Sequence, residues 1–151
     1  MKKNCFLILF LFSLHLFAQQ EAANWYFGYG AGMEFNLASG TINVVDNGQL
    51  STNEGCSTIS DKFGNLLFYS DGSTVWNKNH TIMQNGVGLF GDASSTQSAI
   101  IVPKPDDENI FYIFTVDNSL DGVNYGLNYS IVDISLDGGL GAVVTKNINL
   151  L

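Results

Sequence analysis

The 151-residue chain has no arginine, two cysteines, two prolines and two histidines. Without arginine it lacks the side chain that best grips carboxylates and phosphates in a two-pronged fashion. Six lysines stand against fourteen carboxylates, a formal charge of −8, so no basic face is available for phosphate neutralisation. Nucleic acid is therefore excluded as an expected partner. The two cysteines lie at positions 5 and 56. Only Cys56 falls beyond the leader described below, and one thiol closes no internal bridge. Its neighbours in sequence give no reason for a depressed pKa, which favours a small buried hydrophobe over a nucleophile or an intermolecular partner. Pro103 and Pro105 share one short segment, which reads as a turn.

The one long apolar run is at the start. Lys2 and Lys3 precede the stretch from Cys5 to Phe17, broken only by Ser13 and His15, and the small residue Ala18 precedes Gln19-Gln20-Glu21. This pattern predicts a secretory signal peptide over residues 1–18, cleaved after Ala18. The run is too short for a bilayer, which takes ~20 apolar residues, so no transmembrane segment is expected once the leader is removed. Export, an acidic surface and one domain, 19–151, follow.

Beyond the leader, strand signals dominate and no window has a helical period. Trp25-Tyr26-Phe27, Met33 to Leu37, Thr41 to Val45 and the apolar run after Asn65 all read as strands. Asp46-Asn47-Gly48, Asp71-Gly72 and Asn85-Gly86 read as turns. Part of this pattern recurs about forty residues later. Ser57-Thr58-Ile59, a polar turn and NLLFYSDG at 65–72 match AIIV at 99–102, the turn PKPDDE and NIFYIFTVDN at 109–118. Further on, Ile82 to Leu89 aligns with Ile134 to Leu140, Gly86 matching Gly138, with an insertion placed at Ser119 to Gly126. The expectation is an all-β fold of antiparallel blade-like repeats, a partial β-propeller of about three units, with a small β-sandwich as the alternative. Too few units to close a ring, and a last segment that reads as strand, lead to the expectation of a truncated N-terminal part of a longer chain.

Several strings in this order resemble a known family: NWYFG at 24–28, GMEFN at 32–36, EGCSTISD at 54–61, NLLFYSDG at 65–72, VWN at 75–77, STQSAIIVPKP at 95–105 and GLNYSIVD at 126–133. The chain resembles the N-terminal, propeller-like region of large secreted Bacteroidota proteins. Those proteins end in a type B sorting domain of the type IX secretion system and are often labelled gliding-motility-associated. The resemblance implies export and, given a sorting domain, an extracellular or outer-membrane surface location. It implies adhesion, gliding or surface assembly as the setting, and it supplies no catalytic residue.

Four constellations are candidates for chemistry. Asp117, Ser119 and Asp121, followed by Gly122, space oxygen ligands as a calcium loop does, although Asn128 stands where such a loop carries a bidentate glutamate. Calcium is the one cofactor this allows, and an ordinary turn-rich loop is the alternative. His80 is the only histidine past the leader and lacks the sequence context of a serine-hydrolase base. Glu54, Asp61, Asp71 and Asp92 lie near turns, where a glycosidase places paired carboxyls and ordinary proteins place solvated ones. Trp76 with Asn77, or with Asn79, is a candidate sugar platform, since aromatic rings stack on sugars and carboxamides bond their hydroxyls. Taken together, the residues favour a non-enzymatic surface interaction or adhesion module whose partner is a surface protein or glycan. The alternative is an extracellular carbohydrate-binding or glycoside-cleaving domain.

Overall fold

The computed structural model describes residues 20–118 and 124–151. The leader, together with Ser119 and Asp121 of the calcium candidate, lies outside the described residues. The chain is all-β. Its strands are β1 (Asn24–Phe27), β2 (Ala31–Asn36), β3 (Thr41–Val45), β4 (Ser57–Ser60), β5 (Leu66–Ser70), β6 (Thr74–Asn77), β7 (Ile82–Val87), β8 (Ala99–Pro103), β9 (Ile110–Val116), β10 (Leu127–Asp133) and β11 (Ala142–Asn149). A three-residue 3₁₀ turn, Asp137–Gly139, precedes β11. No helix among the described residues is long and apolar enough to cross a membrane.

The first three strands form an antiparallel sheet of their own, and the other eight form one sheet in the order β4-β5-β6-β7-β11-β10-β9-β8. That order is two four-stranded meanders joined where β7 and β11 run parallel, Gln84 opposite Ala142. At the far edges β4 meets β8, the Ile101 N–H donating to Ser57 Oγ at 3.2 Å. The eight strands thus curl into a nearly closed, barrel-like wall around a shared core. The repeat seen in the sequence is real at the level of the meanders, β4-β5 answering β8-β9. A ring of propeller blades is not what these strands display.

The hairpins owe their tightness to short oxygen-bearing side chains. Asn36 Oδ1 accepts from the N–H groups of Ala38 and Ser39, and Asp61 Oδ1 from those of Phe63 and Asn65. Asp71 Oδ1 accepts from the N–H groups of Ser73 and Thr74 and from the Ser73 hydroxyl, at 2.8 to 2.9 Å. Such bonds offer the backbone a turn in place of a ladder. Gly72 completes this turn at φ +92°, and a Cβ there would stand 2.7 Å from the Ser98 carbonyl oxygen. Glycine is the residue that both conditions allow.

Four expectations are corrected. Asn85-Gly86 is not a turn but lies within β7, where Asn85 takes φ +57° and the register against β6 shifts. Its amide donates to the Val143 carbonyl at 2.8 Å, so the irregularity ties β7 to β11. Asp46-Asn47-Gly48 closes no hairpin. It leads away from β3 along the β1–β2 turn, the Gly48 N–H donating to the Gly30 carbonyl at 3.1 Å. Ile134 to Leu140 is turn and 3₁₀ structure, so the partner of β7 in the second meander is β11. Pro103 also lies in a strand, the last residue of β8, an edge strand where a missing N–H is tolerated.

Two cores result, and β5 serves both. Phe68 enters the apolar core enclosed by the meanders, with Ile59, Val75, Met83, Ile101, Phe111, Ile113, Val132 and Val143. Tyr69, the next residue, points the opposite way and packs with Tyr26 and Leu50, bordered by Val45, Cys56, Leu66 and Trp76. The successive residues of a strand face opposite sides, so the apolar run after Asn65 is buried on both faces, as its composition suggests. The second core fixes the three-stranded sheet to the outside of the first meander.

Candidate functional site

The second core grades from apolar packing into a polar network. The rings of Tyr26 and Tyr69 stack at 4.8 Å, and Trp76, opposite Tyr69 on β6, stacks on it at 5.7 Å. His80 meets Tyr26 edge-on at 5.3 Å. The Tyr26 hydroxyl donates to Asn47 Oδ1 at 3.1 Å, and Asn47 Nδ2 faces His80 Nε2 at 3.0 Å. The other ring nitrogen, Nδ1, lies 3.1 Å from the Tyr69 hydroxyl oxygen. The Gln49 N–H donates to the same oxygen at 3.2 Å.

These surroundings shift the phenols. Burial pushes Tyr69 up to about 12, against the opposing effect of the Gln49 N–H. Burial, and then the nearby Glu34 carboxylate, also push Tyr26 up. Both stay neutral at ordinary pH, as expected of aromatic groups that hold two sheets together.

Beside this network opens a cleft of about 630 Å³, within the usual size range of small-ligand sites. One wall is the inward face of the three-stranded sheet, where Glu34 and Asn43 sit directly opposite each other on β2 and β3. The second wall is the β4–β5 turn, with Phe63 and Asn65, and the third is the β6–β7 turn, from Lys78 to His80. Asn24 and Tyr26 line its floor and are buried. Several lining groups are already engaged. Asn24 Nδ2 donates to Ser60 Oγ and to the Gly64 carbonyl, and Asn36 Oδ1 holds its own turn.

The sequence candidates fall elsewhere or are committed. Asn77 is 2 % exposed. Its Oδ1 accepts from the Asn79 and Thr81 N–H groups, and its Nδ2 donates to Thr81 Oγ1 at 2.9 Å. It is a turn former with nothing left for a sugar. Trp76 is half-buried against Tyr69, part of the second core and not an open platform. His80 sits in the β6–β7 turn at φ +59°, both ring nitrogens bonded within the protein, and no serine is among their partners.

Asp117 Oδ1 and Oδ2 accept from the N–H groups of Asn118 and Tyr125. The other two calcium candidates, Ser119 and Asp121, lie outside the described residues. Among the described residues no three His, Cys, Asp or Glu side chains gather as metal ligands.

The four turn carboxylates are bound to their own surroundings. Glu54 accepts from the Thr96 hydroxyl at 2.6 Å, and Asp92 from the Ser94 N–H and the Asn118 amide. Asp71 holds the β5–β6 turn. Burial alone would raise the Asp61 carboxyl, but the Asn65 amide and the N–H groups of Asn65, Phe63 and Gly64 outweigh it and hold it below its ordinary value. Cys56 donates to the Tyr26 carbonyl at 3.4 Å. Burial, then the Asp71 charge, raise its thiol, which keeps it protonated and inert.

Sequence reasoning missed the cleft because its walls come from residues near 34, 43, 63 and 79, with no local motif joining them. The only local signal was negative: Glu34 and Asn43 are polar breaks in otherwise apolar strands. Fold and site together define an all-β protein with two cores and one polar, aromatic-edged cleft. No protein-family model matches the chain, and comparisons with curated proteins and with solved structures give no match either.

Proposed function

We propose that the chain is a non-enzymatic interaction or adhesion module of an exported protein, meeting a protein partner through the outward face of its second meander. The observation that carries this is a cross-strand row. Ile100, Phe114, Tyr129 and Ile148 lie opposite one another across β8, β9, β10 and β11. Val102, Tyr112 and Ile131 form a parallel row beside it. The rings of Tyr112, Phe114 and Tyr129 lie within 6.3 Å of one another. Ile100 is 48 % exposed and Ile148 40 %. A continuous apolar face of this kind, rich in aromatics and devoid of charge at its centre, is what protein interfaces present.

The apolar leader supports export, and the resemblance in sequence supports display at the cell surface by the type IX route, in a gliding-motility setting. A blade-like array belongs to the same reading, each four-stranded meander having the strand count of one blade. The test is adhesion and surface binding by the double variant Ile100→Asp/Ile148→Asp. Both positions are exposed, so folding is expected to persist. Loss of attachment by cells displaying the variant, with unchanged melting, supports the reading; unchanged attachment overturns it. Antibody labelling of intact cells tests display separately.

A further inference from the structure

We infer that the cleft between the three-stranded sheet and the two turns is a binding site for a neutral saccharide. Among the described residues, the side chains of Glu34, Asn43, Lys78 and Asn79, all lining the cleft, have no hydrogen-bond partner. They come from two strands and one turn that are far apart in sequence, and they converge on one cavity. Other asparagines are engaged within the chain, Asn24 in the cleft floor and Asn47, Asn77, Asn85 and Asn128 outside it. What sets the four unengaged groups apart is that they converge on one concave site.

Their chemistry selects among ligands. Glu34 and Lys78 make no ion pair with each other, so each presents its charge to the cleft. A phosphate or carboxylate would gain from Lys78 but meet Glu34, and a cation would gain from Glu34 but meet Lys78. Hydroxyl groups satisfy both, donating to the carboxylate and accepting from the ammonium. A carboxamide can accept from one hydroxyl and donate to its neighbour, which suits the vicinal diols of a sugar ring.

The remaining requirement is an apolar surface for the C–H face of the ring. Phe63 supplies it at the cleft rim, where it is 71 % exposed on the β4–β5 turn. An aromatic held out in solvent gains stability from being covered, and a pyranose face fits it. The site is thus a small set of placed polar groups with an aromatic edge, as ligand clefts commonly are. It is on a different part of the molecule from the row proposed above as the protein-binding face.

The full chain is tested on an array of neutral oligosaccharides, with uronate and sulfated sugars and free amino acids as comparison arms. The best neutral ligand is then titrated by calorimetry against the protein and against Asn43→Ala and Phe63→Ala. Both residues are exposed, so the variants should melt as the parent does. Each is expected to weaken binding about tenfold. Ile100→Asp/Ile148→Asp should bind the sugar unchanged, which separates this inference from the protein-interface reading. Three outcomes overturn it: no neutral saccharide bound at millimolar concentration, a charged sugar or amino acid preferred, or affinity unmoved by both variants.

Discussion

Two neighbouring residues of β5 look into two different interfaces. Phe68 enters the core between the meanders and meets Phe111 edge-to-face at 5.4 Å. Tyr69 enters the interface with the three-stranded sheet, where its hydroxyl receives the Gln49 N–H and bonds to His80. Both are 0 % exposed. The first interface is apolar and only has to hold. The second ends in hydrogen-bonded groups, and just past them lie Glu34, Asn43, Lys78 and Asn79, whose side chains have no partner among the described residues. A sheet packed wholly by hydrocarbon leaves no room for recognition. One closed by a polar network leaves an edge where a ligand can take the place of water.

The sharpest way to break this comparison is to cut into the apolar side. Phe68→Ala removes a fully buried ring and is expected to cost about 3–5 kcal/mol. Urea unfolding would measure it, and a loss under 1 kcal/mol would mean that the eight strands do not depend on that core.

On the other side, pH separates the two residues. Tyr69 holds its proton up to about 12 when folded, against an ordinary value of 10.0. Between these values the unfolded chain releases a proton that the folded chain keeps. Folding stability from this group is therefore full below pH 10.0 and is lost as pH rises through about 12. A rise of about two units corresponds to about 2–3 kcal/mol. Tyr69→Phe should flatten that alkaline decline while costing about 1–2 kcal/mol at neutral pH, because it leaves the Gln49 N–H without its acceptor. Unfolding curves at successive pH values test both; an equally steep decline in the variant would place the titration elsewhere.

The same contrast explains what the sequence could reveal. Strand content, the paired meanders and the double burial of the Phe68-Tyr69 run follow from period and composition, which act locally. The Asn85-Gly86 pair misleads because its signal, a tolerance of positive φ, serves equally well for a bulge inside a strand. Gly86 has the Val75 carbonyl oxygen only 2.9 Å from where a Cβ would sit, so packing against β6, not turning, requires the glycine. Trp76 and Asn77 look like a sugar platform in one dimension. In three, one faces Tyr69 and the other closes its own hairpin. Phe63, the aromatic that is exposed at the cleft, sits in a polar turn that reads as ordinary punctuation.

The apolar interface has one inconsistent member, and it gives the smallest prediction. Thr115 on β9 follows Phe111 and Ile113 in the inward alternation and is 0 % exposed, yet its hydroxyl has no partner among the described residues. A buried hydroxyl without a hydrogen bond has lost water and gained nothing. Thr115→Val keeps the shape and removes the polar atom, so it is expected to stabilise the fold by about 1 kcal/mol. Thr52 is the control from the other side of the molecule. It is 2 % exposed, but its hydroxyl lies 3.2 Å from the Gly55 carbonyl and 3.0 Å from the Ala93 carbonyl. Thr52→Val should therefore destabilise by a similar amount, about 1 kcal/mol. Opposite signs from the same substitution, read as shifts in the urea midpoint, would show that hydrogen-bond satisfaction and not burial sets the stability of these two sites. Equal signs would show that the hydroxyl of Thr115 is satisfied after all, and that the core between the meanders is less dry than its lining implies.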